Sequence, residues 1–219
     1  MKNIDQWKEK DSELNAKQTA FVAIMSALGT LLSGISLNIA PLLTAVSGQG
    51  GAALDLSHIA TFIAAIFGGP YVGAIVGFLS GIYAGYYFGY VMGSLGLLSL
   101  IGIPVGKALT GLTAGFLHKK LRVTDSSRPS ALTVPVVIFS YIPESIYTVF
   151  YFLYVVLYVY GQAMSFMIPI VIPKAWIEIA IMSLLMGALV GNNGFREFVL
   201  RLLQTPKMES RLARKNDIS

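Results

Sequence analysis

Glu144, Tyr147, Tyr151, Tyr154 and Tyr158 follow one another at i, i+3, i+7, i+10 and i+14. That spacing puts one carboxylate and four phenols on a single helical stripe. A carboxylate can meet an amine or a ring N–H, and phenol faces can stack on a flat polar ring. Two more charges, Lys174 and Glu178, lie one helical turn apart, and Lys107, Asp55 and His58 complete the ionisable groups of the apolar stretches. Each charge at bilayer depth costs at least about 2.5 kcal/mol, so each needs a partner, water or a function. A bland reading exists for each. Lys174 and Glu178 can form an i,i+4 pair, Lys107 can bridge to Glu144 or Glu178, and Asp55 can cap a helix. The tyrosines can form an interfacial belt. Together, two cations and three acids in one half of a bundle read better as the wall of a polar cavity that opens outward.

The rest of the inventory excludes most chemistry. Without cysteine there is no disulfide, thiolate metal site or cysteine nucleophile, and His58 and His118 alone make no multi-histidine metal site. No His-Glu-x-x-His, Asp-rich pair or nucleophile with a nearby base occurs, so no catalytic residue is assigned and no cofactor is expected in this chain. No Gly-x-x-x-x-Gly-Lys-Ser/Thr loop is present, so the chain does not hydrolyse ATP itself.

The elements that position these residues must be membrane helices. Of 219 residues, 55% are hydrophobic and 12% charged, enough apolar residues for about six spans of about 20 residues each. The reading is an all-α membrane protein, six transmembrane helices in a compact bundle. The spans fall at 19–40, 56–67, 71–90, 92–117, 133–158 and 169–190. A loop over 41–54 begins at Pro41, and Gly68-Gly69-Pro70 makes a sharp turn. Residues 1–18 form an N-terminal segment, 19–191 the six-helix binding domain and 192–219 a basic tail.

Six spans require both termini on one side, and the cations agree. The N-terminal segment holds four Lys or Arg, the 118–130 loop four and the tail six, whereas loops 41–54, 88–95 and 159–168 hold none. Fourteen of 16 cations therefore mark one face, which the positive-inside rule makes cytoplasmic. The net charge of +5 thus reports topology, not nucleic acid.

Small residues set the packing. Glycines at 69, 73, 77, 81, 85 and 89 step by four through the third span. Such a track advances about 40° per repeat, so it is expected to wrap across more than one neighbour. In the first span Ala16, Ala20, Ala23 and Ala27 form small-xxx-small pairs that can pack internally or receive a helix of another protein.

Nearly the whole chain resembles the substrate-binding S components of energy-coupling-factor (ECF) vitamin transporters. The resemblance rests on Leu54-Asp-Leu-Ser-His-Ile59, on Phe67-Gly-Gly-Pro-Tyr-Val-Gly-Ala-Ile-Val-Gly77, and on Ala23-x-x-x-Ala27. It implies a substrate-capture subunit of an ATP-driven uptake system in a prokaryotic plasma membrane, with a transmembrane coupling subunit and two ATPase subunits as partners. It implies that the alanines dock on the coupling subunit. It also implies that ligand sits near the outer face, at Lys107, Glu144, Tyr147, Tyr151, Lys174 and Glu178, with 41–54 as lid. Asp55 and His58 join this set from the opening of span two, and the Tyr83–Tyr90 cluster is expected to supply stacking partners. The expected ligand is a small water-soluble vitamin or related ring compound, with a flavin-like ring slightly favoured by Asp55-x-Ser57 and the tyrosines. The alternative is a self-contained ion-coupled secondary transporter, with Glu144 or Glu178 carrying the proton.

Overall fold

A computed structural model describes residues 2–47, 55–93, 95–161 and 164–203. Every regular element among them is helical. In order these are α1 (Lys2–Ser47), α2 (Ser57–Gly68), α3 (Pro70–Tyr86), α4 (Leu97–Lys120), α5 (Pro129–Ser140), α6 (Ile142–Phe150), α7 (Val156–Tyr160), α8 (Ile168–Gly191) and α9 (Asn193–Leu203). Wide π turns extend α3 over Tyr87–Val91 and join α6 to α7 over Tyr151–Val155. Five stretches are long and apolar enough to cross a membrane: Ala16–Ile39, Pro70–Val91, Leu97–Lys120, Pro129–Tyr160 and Ser165–Gly191. The break expected at Pro41 is absent, because α1 runs on to Ser47. Proline removes one hydrogen bond, and a long helix absorbs that loss as a bend. The rest of the expected lid, 48–54, lies outside the described residues.

The sixth apolar helix, α2, has 12 residues and spans about 18 Å, well short of a hydrocarbon core of about 30 Å. Nine of those residues are buried, on every side of the helix, so α2 faces protein where a lipid-facing helix would be half exposed. Phe62, Ile63 and Ile66 join Phe21 and Met25 of α1, Val76 of α3, and Ile179, Met182 and Met186 of α8 in the main apolar core. Val199 of α9 is buried in the same core, and Phe195 meets Phe67 edge-on at 6.1 Å. The first residues of the expected basic tail therefore fold back onto the bundle.

The glycine track packs on α4 along its length and on α2 at its start. A methyl group added at Gly77 would meet the Lys107 carbonyl, at Gly81 the Pro104 backbone, and at Gly85 the Ser99 and Leu100 backbone. At Gly73 it would meet Ala65 of α2 and the Gly111 carbonyl of α4, Gly77 also neighbours Thr61 of α2, and Gly89 lies against Gly96 just before α4. Five successive glycines thus face α4 and its entry, and the first two face α2 as well, as a track that wraps across more than one neighbour should. A contact repeat longer than 3.6 residues can be followed by a single helix that winds round in the right-handed sense. Only Gly69 stands apart, its φ of 91° making the turn between α2 and α3.

The fifth apolar stretch is not one regular helix. Tyr141 interrupts it between α5 and α6, two residues before Pro143, whose ring cannot sit in a continuous helix without a kink. At its far end the Tyr160 hydroxyl donates to the Leu95 carbonyl at 2.6 Å, tying α7 to the turn before α4. Tyr160→Phe removes that bond and is expected to cost about 1 kcal/mol, read as a small fall in melting temperature with the fold retained.

A buried polar cluster as the candidate ligand site

The α2 entry, α4, α6 and α8 bring Asp55, His58, Lys107, Glu144, Lys174 and Glu178 together as two adjoining hydrogen-bonded sets. Lys107, 2% exposed, reaches from α4 past Gly81 to the α2 entry, where its ammonium pairs with Asp55 Oδ2 and donates to Ser57 Oγ. The other Asp55 oxygen accepts from the Ser57 N–H at 3.0 Å. Asp55 therefore organises the start of α2 and neutralises the lysine together. Its own backbone N–H donates to Glu178 Oε1 at 3.2 Å, and Glu178 pairs with Lys174 at 3.3 Å, one turn earlier on α8. His58 Nε2 lies 3.4 Å from Glu144 Oε2, the oxygen that also accepts from Thr110 of α4.

Local sequence explains each position. Pro143 opens α6 in its first turn and sets Glu144 facing α4, where Gly106 leaves room: a methyl group there would sit 3.3 Å from the Glu144 Cγ. Gly102, one turn earlier on α4, carries the Tyr151 ring directly on its backbone. Tyr147 and Tyr151 meet with ring centroids 5.8 Å apart. Tyr141 packs edge-on to both Trp176 and His58, at 5.3 and 6.4 Å, and closes the cluster from the α8 side.

Several expectations need correction. Lys107 bridges to Asp55, not to Glu144 or Glu178. The tyrosine stripe ends at Tyr151, because the wide turn over Tyr151–Val155 shifts the helical register. Tyr154 and Tyr158 are 59% and 92% exposed, with Tyr154 against Phe150. The third-span aromatics also sit elsewhere. The Tyr83 hydroxyl accepts from the Asn38 amide of α1, Tyr87 and Phe88 pack with Leu37 and Ala84, and Tyr86 and Tyr90 stack on each other at the surface. Thr110, Tyr141 and Trp176 are site neighbours that the sequence did not single out, and Ser57 entered only through the Asp55-x-Ser57 pattern. Thr110 was detectable as the residue one turn beyond Lys107 on the same helix face.

Two buried polar atoms in this region lack a hydrogen-bond partner among the described residues, His58 Nδ1 and Tyr151 Oη. Among those residues no group of three or more His, Asp or Glu is placed to hold a metal ion. On α1, Phe21 and Met25 face the core, while Ala16, Ala20, Ala23 and Ala27 lie exposed together with Ile24 and Leu31. The alanines are therefore not used in packing within the described chain.

A bundle of apolar helices that encloses a partnered polar cluster, with two polar atoms left open, defines a multi-pass membrane protein built to hold a small solute. A family model described as "ECF transporter, substrate-specific component" matches residues 17–190. The chain belongs to that family: it is a substrate-capture subunit that works with ECF module components, and ATP hydrolysis falls to its partners. No curated protein and no solved structure matches the chain.

Proposed function

We propose that this chain captures a small water-soluble vitamin or related ring compound at the cluster formed by the α2 entry, α4, α6 and α8, and needs no resident cofactor to do so. The supporting observation is the gathering of Asp55, His58, Lys107, Glu144, Lys174 and Glu178, from four parts of the sequence, into two adjoining polar sets beside Tyr147 and Tyr151. In this reading α2 counts as a short second pass, six passes place both termini in the cytoplasm, and the cluster lies in the outer half of a prokaryotic plasma membrane. The cation distribution supports that orientation. The exposed alanines of α1 dock on a transmembrane coupling subunit that carries two ATPase subunits, and the loaded chain topples in the membrane to release its ligand inside.

Two variants separate capture from docking. Tyr147→Ala, which removes a ring beside Glu144, is expected to weaken ligand binding in a thermal-shift assay and to leave assembly with the coupling subunit intact. Ala23→Leu adds bulk to an exposed small-residue face. It is expected to leave ligand binding unchanged and to reduce co-purification of the coupling subunit roughly tenfold, the effect of an overpacked contact. Equal loss of folding in both variants would show that these positions serve only the bundle. Ligand uptake by the chain alone in proteoliposomes, driven by an ion gradient without ATP, would contradict the ECF mode of action.

A further inference from the structure

We propose that the captured molecule carries a positively charged nitrogen, on or beside its ring, that pairs with Glu144. The inference rests on the capture reading above and adds the charge of the ligand to it. Three carboxylates and two ammonium groups make up the cluster, and the structure shows how they are matched. Lys107 is taken by Asp55 and Ser57, and Lys174 by Glu178. Glu144 has neither lysine. Its described partners are the Thr110 hydroxyl and His58 Nε2, and both act on one oxygen, Oε2.

His58 does not settle the balance. The ring reaches only Oε2 of Glu144, and its own buried Nδ1 has no hydrogen-bond partner among the described residues. Nor can a loop supply the missing cation. Between Lys17 and Lys119 the only Lys or Arg is Lys107, and between Arg128 and Arg196 it is Lys174. Residues 48–54 contain no charged side chain. A buried carboxylate without a counter-charge is costly, and a cationic ligand removes the cost on arrival.

The surroundings of Glu144 suit such a group. The tilted rings of Tyr147 and Tyr151 follow it along α6 and offer negative faces to a cation. Tyr151 Oη and His58 Nδ1, both buried and without a hydrogen-bond partner among the described residues, remain as hydrogen-bonding atoms for the ring's polar edge. An anionic ligand, by contrast, would have to share a lysine that a carboxylate already neutralises and would leave Glu144 without a lysine. The expectation that Lys107 and Lys174 meet a ligand carboxylate or phosphate is therefore the less favourable assignment.

The test uses the full-length chain purified in detergent. Thiamine as the permanent cation, pyridoxamine as the amine, riboflavin as the neutral ring, and biotin and pantothenate as anions are titrated under a thermal-shift readout. In parallel, small molecules retained from a cell extract by wild type and by Glu144→Gln are identified by mass spectrometry. The expected result is that the tightest ligand, from panel or extract, is cationic. Glu144→Gln keeps hydrogen bonding to Thr110 and His58 and should weaken that ligand roughly thirtyfold or more. A tightest ligand that is neutral or anionic overturns the charge assignment and leaves substrate capture standing, and wild-type data alone decide that point if the variant misfolds. A cationic ligand indifferent to Glu144→Gln also overturns it. Absence of any retained ligand overturns substrate capture itself, and the charge assignment with it.

Discussion

Replacing Lys107 by Met is expected to lower the melting temperature of the purified chain by roughly 10 °C or more. Removing one member of a buried ion pair leaves the other charge uncompensated, at a cost of about 3–5 kcal/mol. Asp55 would be that charge, 8% exposed and at the entry of a helix buried on all sides. The loss spreads beyond the pair, because the Asp55 backbone and carboxylate also hold Glu178 and the first N–H of α2. The informative comparison is the double variant Lys107→Met/Asp55→Asn. Removing both charges together should restore most of the lost stability, since a neutral pair of similar size carries little desolvation cost. Ligand binding should remain impaired in the double variant, because Ser57 and α2 are no longer anchored to α4. If single and double variants melt at the same temperature, the pair does not organise this part of the bundle.

The second large effect is expected at Gly77. A methyl group there would lie 2.5 Å from the Lys107 carbonyl oxygen and 2.9 Å from its carbon, backbone atoms that cannot rotate away. Gly77→Val must therefore push α4 from α3, at a cost of about 3 kcal/mol or more, the upper end of the overpacking range. Because Lys107 is the residue displaced, the same variant should also loosen its contact with Asp55 and Ser57. Gly34→Ala is the control. Its added carbon would meet the Tyr83 ring at 3.6 Å, an ordinary contact, so its melting temperature should stay close to wild type. Similar losses at Gly77 and Gly34 would mean that the α3–α4 seam is not set by the glycine track.

Hydropathy and cation placement made the helices legible because both are sums over many residues, and a sum survives local irregularity. The ionisable residues were legible for a related reason: in an apolar stretch each is costly, so Asp55, Lys107, Glu144, Lys174 and Glu178 stand out singly. Their pairing was not. Which carboxylate meets Lys107 depends on how closely α4 approaches the α2 entry, and that approach is made by Gly77 and Gly81 on a third helix. The tyrosine stripe failed at Tyr154 for a local reason. A regular period of 3.6 carries Tyr154 and Tyr158 onto the Glu144 face, and one wide turn of the backbone takes them off it. The glycine track was legible in outline: it meets α2 at Gly73 and Gly77 and follows α4 from Gly73 to Gly89.

The alanine face of α1 shows what the resemblance added. Spacing alone left Ala16, Ala20, Ala23 and Ala27 open to internal packing or to a partner, and the fold leaves all four exposed. The match to the ECF substrate-specific components supplies the class of partner such a face would meet.

Where the captured molecule sits decides whether the polar cluster is a binding site. A structure of the full chain with its retained ligand should show that molecule between the α2 entry, α4, α6 and α8, within hydrogen-bond reach of Glu144 and against the Tyr147 and Tyr151 rings. A ligand bound elsewhere, with the Asp55, Lys107 and Glu144 contacts unchanged and the cluster still closed, would contradict it and leave the network as a device for holding helices together.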